Sequence, residues 1–149
     1  MMGFRQADRE EKINVANYSH RQVLEAAVKA YLDECYAKRT VARVSELAER
    51  LHLSSSYLSR RSHVVLGTTV SAFLRQKQLE HAKHLLRSTD LTISGVATVS
   101  AFGTPSSFYR CFAIASGMTP AEYRRANVPR RAARRQQRTA GRVEVMKCE

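Results

Sequence analysis

The sequence predicts an all-α fold of about seven helices, arranged as two similar halves joined by a connector helix. Three observations predict it. Apolar residues recur at i, i+3, i+4 and i+7 through much of the chain, and no useful stretch alternates with the two-residue period of a strand. Capping residues and glycine stops punctuate these stretches at helical lengths. The chain also repeats itself, residues near 47–73 matching residues near 96–123 in kind and spacing.

Taken in order, residues 1–20 are polar and without period, which reads as a flexible arm. The first helix covers 21–36, where Leu24, Ala27, Val28, Tyr31, Leu32 and Cys35 form one apolar stripe. A second covers Val44–Leu51 and a third Ser55–Leu66, with Gly67 placed to stop it in a left-handed conformation. The connector runs over about 70–87, with Val70, Phe73, Leu74, Leu79, Ala82, Leu85 and Leu86 inward. Arg87-Ser88-Thr89-Asp90 breaks the pattern, and Thr92 is placed to cap a fifth helix over about 93–100. Thr104 caps a sixth, with Pro105 in its first turn, where a missing N–H does no harm. Gly117 ends it, and Thr119-Pro120 opens a last helix over 120–126. The segment 127–149 is basic and poor in apolar residues, so it is expected to be disordered.

The repeat holds a constant frame. Leu47-Ala48 matches Val96-Ala97 and Leu53 matches Phe102 at an offset of 49. Ser56, Leu58, Arg60, Gly67, Thr69 and Phe73 then match Ser106, Phe108, Arg110, Gly117, Thr119 and Tyr123 at an offset of 50, so the second turn holds one extra residue. Each half reads as a helix-turn-helix unit, the first over about 21–67 and the second over about 92–126. Such a unit places its second helix in a DNA major groove. A connector of about 18 residues at ~1.5 Å each spans ~27 Å, close to the ~34 Å that separates successive major grooves on one face of B-DNA.

Charge agrees with an anionic partner but is unevenly placed. The net charge is +12, yet residues 124–149 hold nine Lys/Arg against two Glu, a net of +7. Residues 1–123 hold 16 Lys/Arg against 11 Asp/Glu, a net of +5. The sequence shows no 18-residue apolar run and no apolar leader near its start, so neither a membrane span nor a secretory signal is expected. Cys35, Cys111 and Cys148 are odd in number and far apart, which fits a reduced cytoplasmic protein without disulfides or a zinc site.

The second half, with I-S-x-V-A at 93–97, A-F-G-T-P-S-S-F-Y-R-C-F at 101–112 and G-M-T-P-A-E-Y-R-R at 117–125, resembles the DNA-binding domain of the AraC/XylS family of bacterial transcription regulators. The first half matches through SELAERLHLSSSYLSR and through L-x-x-A-x-x-L-L at 79–86. The resemblance covers about residues 22–125. It implies seven helices, two recognition helices, binding to adjacent major-groove segments, and activation more often than repression; a protein-interaction role, with RNA polymerase or another regulator as partner, is compatible with this. The short stand-alone members are the nearest in kind, since about 20 residues precede the first helix; a fragment of a longer regulator is the other reading. The sequence departs from the family at four places. Ser62 stands where a bulky aromatic is usual, Gln78 where Arg is common, Ala101 where Gly is common, and Ala113 where a basic residue is common. Ser62 is therefore expected to leave the first unit less firmly packed.

With Leu58 inward, Ser56, Ser59, Arg60 and His63 face outward; with Phe108 and Phe112 inward, Ser106, Tyr109 and Arg110 do. Arg60 and Arg110 fall at matching positions, and arginine pairs bidentately with guanine O6/N7. Ser55 and Thr104, at helix N-termini, are candidates for phosphate contact. Double-stranded DNA is the expected partner, bound by a monomer. The rival readings are an enzyme and a non-specific nucleic-acid binder driven by the tail. His81 and His84 lie i, i+3 but have no third metal ligand nearby and read as an exposed polar face; Cys111 reads as a small buried residue without an adjacent base. No Gly-rich phosphate loop and no carboxylate pair stand in the sequence, so neither catalysis nor a cofactor is expected.

Overall fold

The computed structural model describes the backbone of residues 4–128 and the side chains of residues 20–128. Among these every regular element is a helix: α1 Phe4–Lys38, α2 Val44–Arg50, α3 Ser55–Leu66, α4 Val70–Ser88, α5 Ile93–Val99, α6 Pro105–Ser116 and α7 Pro120–Asn127. The expected arm over 1–20 is corrected, because α1 begins at Phe4. No glycine or proline interrupts Phe4–Lys38, so backbone propensity carries the helix through a stretch that lacks an apolar stripe. The expected disorder beyond 128 lies outside the described residues.

The apolar stripes close two cores. Leu24, Val28, Tyr31, Leu47, Leu58 and Phe73 belong to the first; Leu79, Leu86, Val96, Phe102, Phe108 and Phe112 belong to the second. Helix α4 serves both. Val70, Phe73 and Leu74 on its first half enter the first core, and Leu79, Ala82 and Leu86 on its second half enter the second. Leu85, expected inward, is only half-buried.

Helix ends follow the predicted chemistry. Ser54, Thr69, Thr92, Thr104 and Thr119 each accept a backbone N–H from the first turn of the helix they precede. Thr119 and Glu122 complete a reciprocal capping box, and the N–H and hydroxyl bonds from Thr119 hold the Glu122 carboxyl below its ordinary pKa. Gly67 and Gly117 end α3 and α6 at φ 72° and 71°, with N–H bonds to the His63 and Ala113 carbonyls.

Helices α2 and α5, which precede the two turns, end alike, on a left-handed residue other than glycine. The N–H groups of His52 and Leu53 bond the Glu49 and Ala48 carbonyls at 3.0 and 2.9 Å, closing α2 in a Schellman motif. Ala101 and Phe102 close α5 in the same way on Thr98 and Ala97, both at 3.1 Å. The left-handed residue is His52 in one unit (φ 55°) and Ala101 in the other (φ 61°). Arg39 does the same for α1 at φ 54°. The sequence repeat is thus a repeat of backbone conformation. Leu53 and Phe102 hold equivalent backbone places although Phe102 is buried and Leu53 exposed.

Candidate nucleic-acid interface

Helices α3 and α6 are each pinned on one face and open on the other. In α3, Leu58, Ser62 and Val65 are buried. Ser62 is buried where the family usually has an aromatic, and its hydroxyl donates to the Ser59 carbonyl at 2.8 Å, so the polar group is satisfied within the helix. In α6, Phe108 and Phe112 are buried in an edge-to-face series that runs from Phe102 to Tyr123, with centroids 5.1 to 5.6 Å apart.

The open faces carry the predicted residues. Ser55, Ser56, Arg60 and His63 are exposed on α3, and Ser106, Tyr109 and Arg110 on α6, with Thr104 exposed at its cap; Ser59 is half-buried. The Tyr109 ring meets Phe108 edge to face at 6.1 Å, so one side packs on its own domain and the other is open. The cap assignments divide. Thr104 already accepts the Ser107 N–H at 3.1 Å, whereas the equivalent cap in the first unit is Ser54, and Ser55 is the first residue of the helix proper.

The electrostatic surroundings of the two arginines are alike. No Asp or Glu occurs from Leu51 to Leu79, nor from Leu91 to Ala121, so both recognition helices and their turns are free of acidic residues. Among the described residues neither Arg60 nor Arg110 has an ion-pair partner. Two other arginines are committed to the fold. Arg50 pairs with Glu34, and Arg124 bonds the Leu86 and Leu91 carbonyls at 3.3 and 2.6 Å, tying α7 to the end of α4.

Gln78 ties the second unit's turn to the connector. It is buried on α4, and its amide donates to the Ser100 and Ala101 carbonyls at 3.3 and 2.8 Å. The Ala101 carbonyl also accepts the Ala42 N–H at 3.2 Å, and its methyl lies in the first core. The second unit's turn is therefore bonded to both the connector and the loop after α1. A glutamine among apolar connector residues was the available signal, because such a side chain, once buried, needs partners.

Two other expectations are corrected. His81 is not on an exposed face: it stacks on Tyr36 with centroids 4.0 Å apart and planes 6° apart, and burial lowers its pKa. Cys111 is half-buried rather than buried, and Arg75 Nη1 donates to its sulfur at 3.1 Å. Among the described residues no three His, Cys, Asp or Glu gather as a metal site, and no helix is long and apolar enough to cross a membrane.

Two capped, acid-free helices displayed from a shared connector define a tandem helix-turn-helix domain. The family described as "Helix-turn-helix domain" matches residues 47–126, and the chain belongs to it, as a DNA-binding domain of the AraC type. It is 35% identical over 107 residues to the uncharacterized HTH-type transcriptional regulator YijO of Escherichia coli, covering 72% of this chain and 37% of that protein. The chain therefore spans well under half the length of this curated relative. The C-terminal domain of the two-component response regulator YesN of Fusobacterium nucleatum superimposes with a TM-score of 0.60 at 30% identity, covering 68% of this chain and 97% of that one. The DNA-binding domain of AdpA, solved in complex with a target DNA, shares the fold with a TM-score of 0.58 at 24% identity, covering 66% and 90% of the two chains.

Proposed function

We propose that this domain is the sequence-reading part of a transcription regulator that grips two adjacent major-groove segments of one duplex, α3 in one and α6 in the next. The single observation that carries the reading is the matched pair Arg60 and Arg110, exposed and unpaired with any carboxylate among the described residues. Each stands where an arginine can reach guanine O6/N7. Ser56, Ser59, His63, Ser106 and Tyr109 flank them as further base or sugar contacts. Ser55 and Thr104 sit beside the helix N-termini, where phosphate is favoured. Because one chain carries both units, it binds as a monomer. The resemblance to the AraC/XylS family favours activation, with RNA polymerase as the protein contacted.

Selection of binding sites from random duplexes tests this. A bipartite site with half-sites about one helical turn apart is expected. Retention without enrichment of any sequence would overturn the reading in favour of non-specific binding driven by charge. A reporter placed downstream of the selected site, read with and without the protein, gives the sign of regulation.

A further inference from the structure

The two recognition helices share a second matched pair that the arginines do not account for. Val64 on α3 and Ile114 on α6 correspond at the same offset of 50 as Arg60 and Arg110. Each lies four residues beyond its arginine, and so on the same stripe of its helix, about 6 Å further along the axis. Val64 is 64% exposed and Ile114, at 78%, is more open than any other described large hydrophobic residue. A single exposed aliphatic side chain is ordinary. Two β-branched ones at one register of a repeat, each beside an unpaired arginine on an acid-free helix, are not.

We propose that Val64 and Ile114 are specificity-determining residues that read thymine through its C5-methyl group. This rests on the DNA reading above. In the major groove thymine alone among the four bases presents a methyl, and apolar side chains recognise it by contact. A β-branched side chain suits this task because its χ1 is already restricted in a helix, so little rotamer freedom is lost when it meets the base. A shift of about 6 Å along a recognition helix lying in the groove corresponds to about two base pairs at ~3.4 Å each. Each half-site should therefore carry a thymine about two base pairs from the guanine bound by the arginine.

The test uses the full chain and its selected duplex, with single thymines replaced by deoxyuridine, which removes the methyl and leaves the base-pairing edge unchanged. One deoxyuridine position in each half-site should weaken wild-type binding about fourfold, the value of one buried methyl. Val64→Ala should abolish the sensitivity in one half-site and Ile114→Ala in the other, while both variants keep the wild-type circular dichroism and melting temperature. Deoxyuridine without effect at every thymine would overturn the inference, as would alanine variants that weaken thymine and deoxyuridine duplexes equally. Failure to select any bipartite site would instead sink the DNA reading itself, so the two failures are distinguishable.

Discussion

Gln78 Nε2 lies 2.8 Å from the Ala101 carbonyl oxygen, which also accepts the Ala42 N–H. One oxygen thus joins the connector helix, the second unit's turn and the loop between α1 and α2. Gln78→Met keeps the side-chain volume and removes both amide bonds, leaving buried carbonyls short of a donor. It should cost about 1–3 kcal/mol of stability, read by urea unfolding. Affinity for the bipartite site should fall more than affinity for either half alone, because the spacing between the helices is no longer held. Equal stability in variant and wild type would show that the bonds are dispensable.

The three left-handed residues that close α1, α2 and α5 allow a graded test. A non-glycine residue in this conformation costs roughly 1–2 kcal/mol. Arg39 and His52 are exposed, so Arg39→Gly and His52→Gly should each stabilise the domain by about 1 kcal/mol. Ala101 is buried in the first core, and its methyl contributes about 0.8 kcal/mol of burial. Ala101→Gly should therefore change stability little, the two effects offsetting. Thermal melts of the three variants side by side decide the matter.

Arg110→Ala should weaken specific binding by about 1–3 kcal/mol and relax preference at one base pair. Arg60→Ala should do the same at a different base pair in the other half-site. A mobility-shift titration against single-base variants of the site reads both. Unchanged affinity and selectivity would remove these residues from the reading face.

Glu34 on α1 accepts bonds from both Lys38 and Arg50, which lowers its pKa from 4.5 to about 2. Its stabilising contribution is complete above 4.5 and is lost as pH falls from there toward 2. Wild-type urea midpoints should drop between pH 6 and pH 3. Glu34→Gln, neutral throughout, should start lower and drop less. Parallel pH profiles would show that the α1–α2 pair does not contribute.

Deleting residues 129–149 tests whether the basic tail tracks phosphates. Every phosphate that the tail neutralises adds about 0.9 to the slope of log K against log salt, so the truncated chain should give a flatter plot. An unchanged slope would free the tail from DNA binding.

What could be read in the sequence was mostly what local chemistry decides. The caps Thr92, Thr104 and Thr119 and the stops Gly67 and Gly117 each act within a few residues, and each stands where expected. The outward position of Arg60 and Arg110 also followed from helical spacing, given Leu58 and Phe108 inside. Gln78 was opaque because its partners lie 22 and 23 residues away, on carbonyls that only the folded turn brings near. The bond of Ser62 to the Ser59 carbonyl on its own helix was also not read, because a comparison of side-chain volumes does not weigh hydrogen bonds. The start of α1 was missed because an apolar stripe reports packing, whereas a run without glycine or proline can be helical with no stripe.

The two units share a backbone but not a reading face: His63 stands opposite Ala113, and Ser59 opposite Tyr109. A pair of identical subunits sees the same word from either strand and cannot tell left from right. A tandem of unlike units has a head and a tail. Bound in the proposed manner, it would mark the duplex with a direction, so that inverting the site would turn the protein around relative to the start of transcription.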